Sequence, residues 1–299
     1  MIDIPDGLVT AQVRHNGQAG RDFLARLPER AARFLDEWSL RRDGPPAHGV
    51  SALVLPVVRA DGSGAALKLP YLDEETAGEP AALRTWAGGG AVRLLDHDAG
   101  TGTLLLERLD ASRPLTREPD TRTAVLVIAD LLARLTAFPA PPDLPRRLGD
   151  LTRAMLAEVP RALPRLPDPA DRRLIEDCAA AVREVASAPG DRLLHWDLHY
   201  DNVLAAGREP WLAIDPKPLA GDPGFELLPA LRNRFNPAEI TWRFEAMTDL
   251  LGLDRERARA WTLGRVLQDA LWDLRENRRP AAGRLEIARR LRKGAGPAR

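Results

Sequence analysis

The sequence predicts an α+β protein in two lobes: a small antiparallel β lobe carrying one helix, then a larger, mainly helical lobe. Three observations support this. Apolar runs separated by strong turn sequences fill much of residues 49–110, the pattern of paired strands. From residue 111 onward, Leu-, Ala- and Arg-rich stretches broken by prolines take over, and they read as helices. A chain of 299 residues also divides more readily into two modest domains than it fills one. The boundary is placed at 110/111, giving a β-rich lobe with a leading helix over 1–110 and a helical lobe over 111–299.

The elements follow in order. Residues 18–40 set Phe23, Leu24, Leu27, Ala31, Phe34, Leu35 and Trp38 near helical spacing, which predicts an amphipathic opening helix. "GVSALVLPVVRADGSGAALKLP" then places two apolar runs around Asp61-Gly62-Ser63-Gly64, strong chemistry for a hairpin turn. Lys68 ends the second strand. "DEETAGEPAALRTWAGGG" supplies acidic starting residues, a helical stretch and a glycine stop. "AVRLLDHDAGTGTLLLERLD" reads as strand, turn, strand, and "RLDASRPLT" as a link into helices that run to about 187. Short strands return over 192–215, with a second hairpin turned at Gly207 to Pro210. Helical periodicity resumes over 238–251, 254–277 and 283–292. The basic stretch 288–299 reads as a solvated helix end with a frayed tail.

Composition narrows the function classes. Acidic and basic residues balance at 43 each, so no global field favours nucleic acid or an anionic membrane. No basic start precedes an apolar stretch, and no run approaches the roughly 18 apolar residues of a membrane span. A cytoplasmic protein is expected, acting as a monomer on small molecules. The single cysteine, Cys178, reads as a small buried residue. Lysine occurs only at 68, 217 and 293, which marks each as a candidate for chemistry that arginine cannot do.

The densest polar cluster is "LLHWDLHYDNVLAAGREPWLAIDPKPLAGDP", residues 193–223. One reading takes His195, Asp197 and His199 as alternate ligands on a strand facing one metal. No further histidine lies nearby and no HExxH or CxxC pattern exists, which weakens it. The other reading is phosphoryl transfer. Its loose transition state leaves the protein to position an acceptor hydroxyl and neutralise charge with Mg²⁺, an ion that prefers oxygen ligands. Asp197 would then be the base, Asn202 and Asp215 would hold the metal, and Lys68, held by Glu79, would reach the phosphates.

"HWDLHYDNVL" resembles the catalytic loop of aminoglycoside phosphotransferases, small-molecule relatives of the protein kinases, and its Asp-to-Asn spacing is like their H-R-D-x-x-x-x-N. Together with "WLAIDPKPLAGDP", "EPAALRTWAGGGAVRLLDHD" and "TLLLERLD", the chain resembles the aminoglycoside/hydroxyurea resistance kinases, and within them the streptomycin 6-kinase type. The likeness runs from about residue 20 to 275. It implies a protein-kinase-like two-lobe fold, ATP and Mg²⁺ as cofactors, and Asp197 as catalytic base. It also makes Asn202 and Asp215 the Mg²⁺ ligands and Lys68 with Glu79 the phosphate contact. "LLLERLD" becomes a hinge whose backbone at Glu107 and Leu109 meets adenine. His195 would brace the loop, with His199 structural.

The resemblance has departures. "PAHGVSALV" lacks G-x-G-x-x-G, so phosphate cover falls to other backbone amides or to Ser51. Trp196 stands where the family commonly has glycine and could reshape the acceptor pocket. An aminoglycoside acceptor is a polycation and calls for acidic contacts. Asp201, Asp222 and Glu226 are the candidates, although each also reads as a helix cap or a solvated loop charge. A neutral sugar, cyclitol or hydroxyurea is the alternative acceptor. A nucleotide-binding pseudokinase is the alternative class, against which the retained base argues.

Overall fold

The computed structural model describes residues 2–293, so the last part of the basic C-terminal stretch lies outside the described residues. Helix α1 (Asp6–Glu37) starts well before residue 18 and is broken at Gly17, where φ is 53° and ψ −121°. The earlier half escapes periodicity because one of its buried positions is polar: Gln12 is 1% exposed and donates to the Val50 carbonyl at 2.9 Å. The two halves approach so closely that a Cβ on Gly20 would lie 2.3 Å from the Gln12 carbonyl oxygen.

A six-stranded sheet follows, built from β1 (Arg41–Arg42), β2 (Ala47–His48), β3 (Ala52–Val58), β4 (Gly64–Pro70), β5 (Leu94–Asp98) and β6 (Thr103–Glu107). Its order is β1-β3-β4-β6-β5, with β2 also on β3. The Asp61 to Gly64 turn joins β3 to β4 in antiparallel register, Val54 opposite Lys68. Alternation divides the faces. Leu53, Leu55, Val57, Leu67, Leu69 and Leu105 pack beneath Leu24, Leu27, Ala31 and Phe34 of α1 in a core of their own. On the other face Leu104 and Leu106 join the core of the helical part through α2 (Glu79–Trp86). Lys68 pairs with Leu104, so it points to that second side. Helix α2 is shorter than "DEETAGEPAALRTW" suggests, because Asp73 Oδ1 captures the N–H groups of Glu75 and Thr76 in a turn.

Strand β7 (Asp110–Pro114) occupies what the sequence presents as a link. It pairs with β9 (Val203–Ala205), which pairs with β10 (Trp211–Ala213). Helices α3 (Thr121–Leu135), α4 (Leu148–Ala162) and α5 (Pro169–Val185) come next. Strands β8 (Arg192–Leu194) and β11 (Leu219–Gly221) pair with each other and bracket the polar cluster. Helices α6 (Leu227–Arg232), α7 (Ile240–Leu251), α8 (Arg255–Arg275) and α9 (Ala282–Lys293) complete the larger part. α8 is buried along most of its length. It approaches α5 at Gly264, where a Cβ would stand 2.7 Å from Val182. Antiparallel sheet plus helical lobe is the α+β arrangement expected. Among the described residues no helix is long and apolar enough to cross a membrane.

Candidate active site

A cleft of about 420 Å³ lies between the sheet and the β9–β10 hairpin. Val54, Ala66, Val92, Leu106, Leu204 and Ile214 give it apolar walls, and Lys68, Asp197, Asn202, Asp215 and Lys217 converge at its polar end. Ser51, Glu107, Leu109 and Asp201 also line it. Pockets of this character, apolar with a few convergent polar groups, are the usual small-molecule sites.

Lys68 ties the two sides together. Its ammonium donates to both carboxylate oxygens of Glu79 and to Asp215 Oδ1, each at 2.6 Å. Burial acts to lower the ammonium's pKa, but Asp215 and Glu79 outweigh it and hold it above its ordinary value. Burial also opposes ionisation of Asp215, yet Lys68 and then Lys217 keep its carboxyl below the usual range. Glu79, 1% exposed, is raised by its burial despite the adjacent ammonium.

The loop from His195 to Asn202 is fixed mainly by its backbone. Asp197's carbonyl accepts from His199 N–H at 3.0 Å and from Asn202 Nδ2 at 2.9 Å. Asn202's carbonyl accepts from Ile214 N–H at 2.9 Å, which couples the loop to the segment that leaves β10 toward Asp215. His195 is fully buried, stacked on Trp86 at 6.1 Å, with Nε2 3.0 Å from the Ile214 carbonyl. Burial pushes its imidazole down to about 4, so it is neutral near pH 7. Its ring is thus committed to the core, and the reading of His195, Asp197 and His199 as three ligands facing one metal does not hold. Among the described residues no three His, Cys, Asp or Glu side chains converge on a metal. His199 lies on the cleft wall, 3.9 Å from Asp197 and 3.6 Å from Asp201.

Three of the candidate acceptor contacts are elsewhere. Trp196 is 2% exposed and does not line the cleft. It has φ 71° and lies between the guanidinium groups of Arg146 at 4.3 Å and Arg265 at 3.9 Å. A left-handed non-glycine residue costs roughly 1–2 kcal/mol, and two desolvated cation–π contacts are of comparable size. Glu226 is fully buried and accepts the Trp196 N–H at 2.6 Å. Its burial raises the carboxyl to about 7. Asp222 caps the next 3-10 turn through Gly224 N–H and pairs with Arg257 at 2.6 Å. Only Asp201, 67% exposed, remains at the cleft.

The family model for aminoglycoside/hydroxyurea antibiotic resistance kinases matches residues 37–277. The chain belongs to this family. Among the family's relatives, a hydroxyurea phosphotransferase of Kitasatospora aureofaciens is 62% identical over 92% of this chain and 82% of its own. A streptomycin 6-kinase of Streptomyces glaucescens is 54% identical over 92% of both. Solved structures agree in fold. The GDP complex of an aminoglycoside 2'-phosphotransferase covers 89% of this chain and 97% of its own, with a TM-score of 0.58 and 14% identity. A fructosamine-3-kinase homologue from Thermobifida fusca covers 88% and 98%, with a TM-score of 0.57 and 22% identity. This member of the resistance kinases is therefore a small-molecule phosphotransferase of protein-kinase-like fold.

Two residues of this resistance kinase, Arg208 and Glu75, escape sequence reading. Arg208, in the hairpin turn, grips Glu107 through Nε and Nη2 at 2.7–3.1 Å and also donates to the carbonyls of Gly88 and Ala91 at 2.7 Å. Glu75 lies 3.6 Å from Lys217 and 3.7 Å from Arg146. Burial acts to lower the Lys217 ammonium, but Asp197, Glu75 and Asp215 hold it above its ordinary value. Each partner lies far away in sequence, so no local pattern announces it.

Proposed function

We propose that the chain transfers the γ-phosphoryl group of ATP to a hydroxyl of a streptomycin-type aminoglycoside and so inactivates it. The observation that carries this is the ammonium of Lys68 bridging Glu79 and Asp215 at 2.6 Å in the cleft that Asp197 and Asn202 also line. Residues 1–110 would hold the nucleotide and 111–299 the acceptor, in a cytoplasmic monomer. Adenine fits the apolar end. Glu107's N–H is committed to Arg93 and Leu109's carbonyl to Ala111, and neither bond uses the Glu107 carbonyl or the Leu109 N–H that an adenine edge needs. Ser51 would cover the phosphates from β3's side. Asp197 would accept the hydrogen bond of the acceptor hydroxyl and then its proton.

The donor set suits Mg²⁺. Asn202's amide nitrogen is engaged by the Asp197 carbonyl, which leaves its oxygen as the free end, and Asp215 supplies a carboxylate to the same cleft. Mg²⁺ is usually held by one or two protein oxygens plus phosphates and water; bound there, it would neutralise charge on the phosphate oxygens.

A second acceptor, hydroxyurea, gains support from two positions. Asp222 and Glu226 are buried and engaged, which removes two of the three acidic contacts a polycation would want. A panel of streptomycin, other aminoglycosides, sugars, cyclitols and hydroxyurea, with ATP and Mg²⁺ and ADP release as readout, tests both. Turnover with streptomycin supports the first reading and turnover with hydroxyurea alone the second. Intact nucleotide binding without turnover on any acceptor would identify a pseudokinase.

A further inference from the structure

Lys217 lines the cleft beside the carboxylate read as the base, and its charge is only loosely paired. Its Nζ is 3.4 Å from Asp197 Oδ2 and 3.6 Å from Glu75 Oε2, ion-pair separations too long for strong hydrogen bonds. Lys68 differs, because its three contacts at 2.6 Å occupy all three N–H donors. The Lys217 backbone is clamped at both ends: its N–H donates to the His195 carbonyl at 3.1 Å and its carbonyl accepts from Arg146 Nη1 at 2.9 Å. Arg146 in turn lies over Trp196, next to Asp197 in the chain. The loop that carries the carboxylate therefore also fixes the backbone from which this ammonium reaches it.

Resting on the phosphotransferase reading, we infer that Lys217 is a further catalytic residue, whose ammonium donates a hydrogen bond to an oxygen of the phosphoryl group in flight. The acceptor hydroxyl oxygen forms a bond to the γ-phosphorus as the bond from that phosphorus to the bridging oxygen breaks. ADP leaves with the electron pair, and the hydroxyl proton goes to Asp197. Lys217 keeps its proton throughout. A hydroxyl resting on Asp197 would bring the phosphorus close by, and an ammonium 3.4 Å from the same carboxylate, on a flexible four-carbon stem, can reach its equatorial oxygens. Charge spread over those oxygens is what fixed donors stabilise in this reaction. Glu75, 3.6 Å away, faces the same ammonium from the other side of the pair.

The competing role is a tether that only neutralises Asp197 and Glu75. Lys217→Met should lower kcat roughly 10²–10³-fold, as loss of a fixed donor does, with KM for ATP changed less than about threefold. Equilibrium binding gives a readout apart from turnover. ADP should bind Lys217→Met as it binds wild type, whereas ADP with aluminium fluoride and Mg²⁺, which mimics the planar phosphoryl group, should bind on the order of 10²-fold more weakly. Lys217→Cys should be equally slow and should recover after alkylation with 2-bromoethylamine, which rebuilds an ammonium. The native Cys178 is fully buried and is spared. Wild-type kcat in Lys217→Met, equal loss of ADP and ADP–aluminium fluoride binding, or no recovery on aminoethylation would each overturn the inference. If wild type turns over no acceptor, the functional reading fails, and equal aluminium fluoride binding by the two proteins would still sink Lys217 by itself.

Discussion

Asp197 is held through its main chain, whose carbonyl accepts from His199 and Asn202 at 3.0 and 2.9 Å, and its carboxylate is left to the cleft. Removing the side chain therefore leaves the loop's bracing intact. Asp197→Ala is expected to cut turnover roughly 10²–10⁴-fold, the usual share of a positioned base, with ATP affinity by calorimetry close to wild type. Full activity in that variant would take Asp197 out of the reaction. Lys68 makes the opposite case, because its loss strands two carboxylates. Lys68→Met should destabilise the protein by on the order of 3–5 kcal/mol, the cost of breaking a buried ion pair. Burial already raises Glu79 with the ammonium present, and without it nothing opposes that rise. A carboxyl whose folded pKa exceeds its unfolded value contributes stability that is present at low pH and lost as pH rises through the folded pKa. The Tm deficit of Lys68→Met against wild type should therefore narrow between pH 8 and pH 5. A constant or widening deficit would mean that Glu79 stays ionised without its partner.

At the scale of elements, the 3-10 turn Pro223–Glu226 holds the loop from His195 to Asn202 from behind through Glu226 and the Trp196 N–H. Glu226 has a folded pKa of about 7 against an ordinary 4.5. Its contribution is full below 4.5 and is lost as pH rises through 7, a loss of about 3 kcal/mol at most. Glu226→Gln keeps an acceptor for Trp196 and should flatten the stability–pH curve over that window. Glu226→Leu leaves the N–H unpaired and should lower both Tm and turnover. Equal pH slopes in wild type and Glu226→Gln would refute this assignment. Sequence reveals such elements unevenly. The β3–β4 hairpin is legible because Asp61-Gly62-Ser63-Gly64 marks its turn locally, and the loop from His195 to Asn202 because its polar groups are contiguous. Strands β7 and β11 are hidden, since three to five residues paired over long distances carry no period of their own. The first half of α1 is hidden by a buried glutamine. Asp201, Asp222 and Glu226 look alike in a one-dimensional string, and only packing separates the exposed acid from the two buried ones.

Across the whole molecule, residues 90–92 on the sheet side join the β9–β10 hairpin along one seam. Val92 N–H bonds to the Ala213 carbonyl and Ala213 N–H to the Gly90 carbonyl, both at 2.9 Å. Arg208 adds its grip on Glu107, Gly88 and Ala91, and the Lys68–Asp215 pair closes the far end. Arg208 was not legible as a functional residue because its role is geometric: a planar fork satisfying a carboxylate and two carbonyls at once, which lysine cannot copy. A nucleotide in the cleft would touch walls from both sides of this seam and should stabilise them as one unit. At a hundredfold excess over Kd, a non-hydrolysable ATP analogue with Mg²⁺ should add about 2.7 kcal/mol, or roughly 4 °C in Tm for a chain of this size. Arg208→Ala leaves the seam its main-chain bonds and leaves Glu107 its bond from Arg93 N–H, but removes the tie between Glu107 and the hairpin, so the segment at Glu107 is held against the hairpin less firmly. Its affinity for the analogue should fall, its Tm shift at the same concentration should shrink, and Arg208→Lys should restore neither. If Arg208→Ala is shifted as far as wild type, the main-chain bonds alone set the hinge and the guanidinium is dispensable to nucleotide binding.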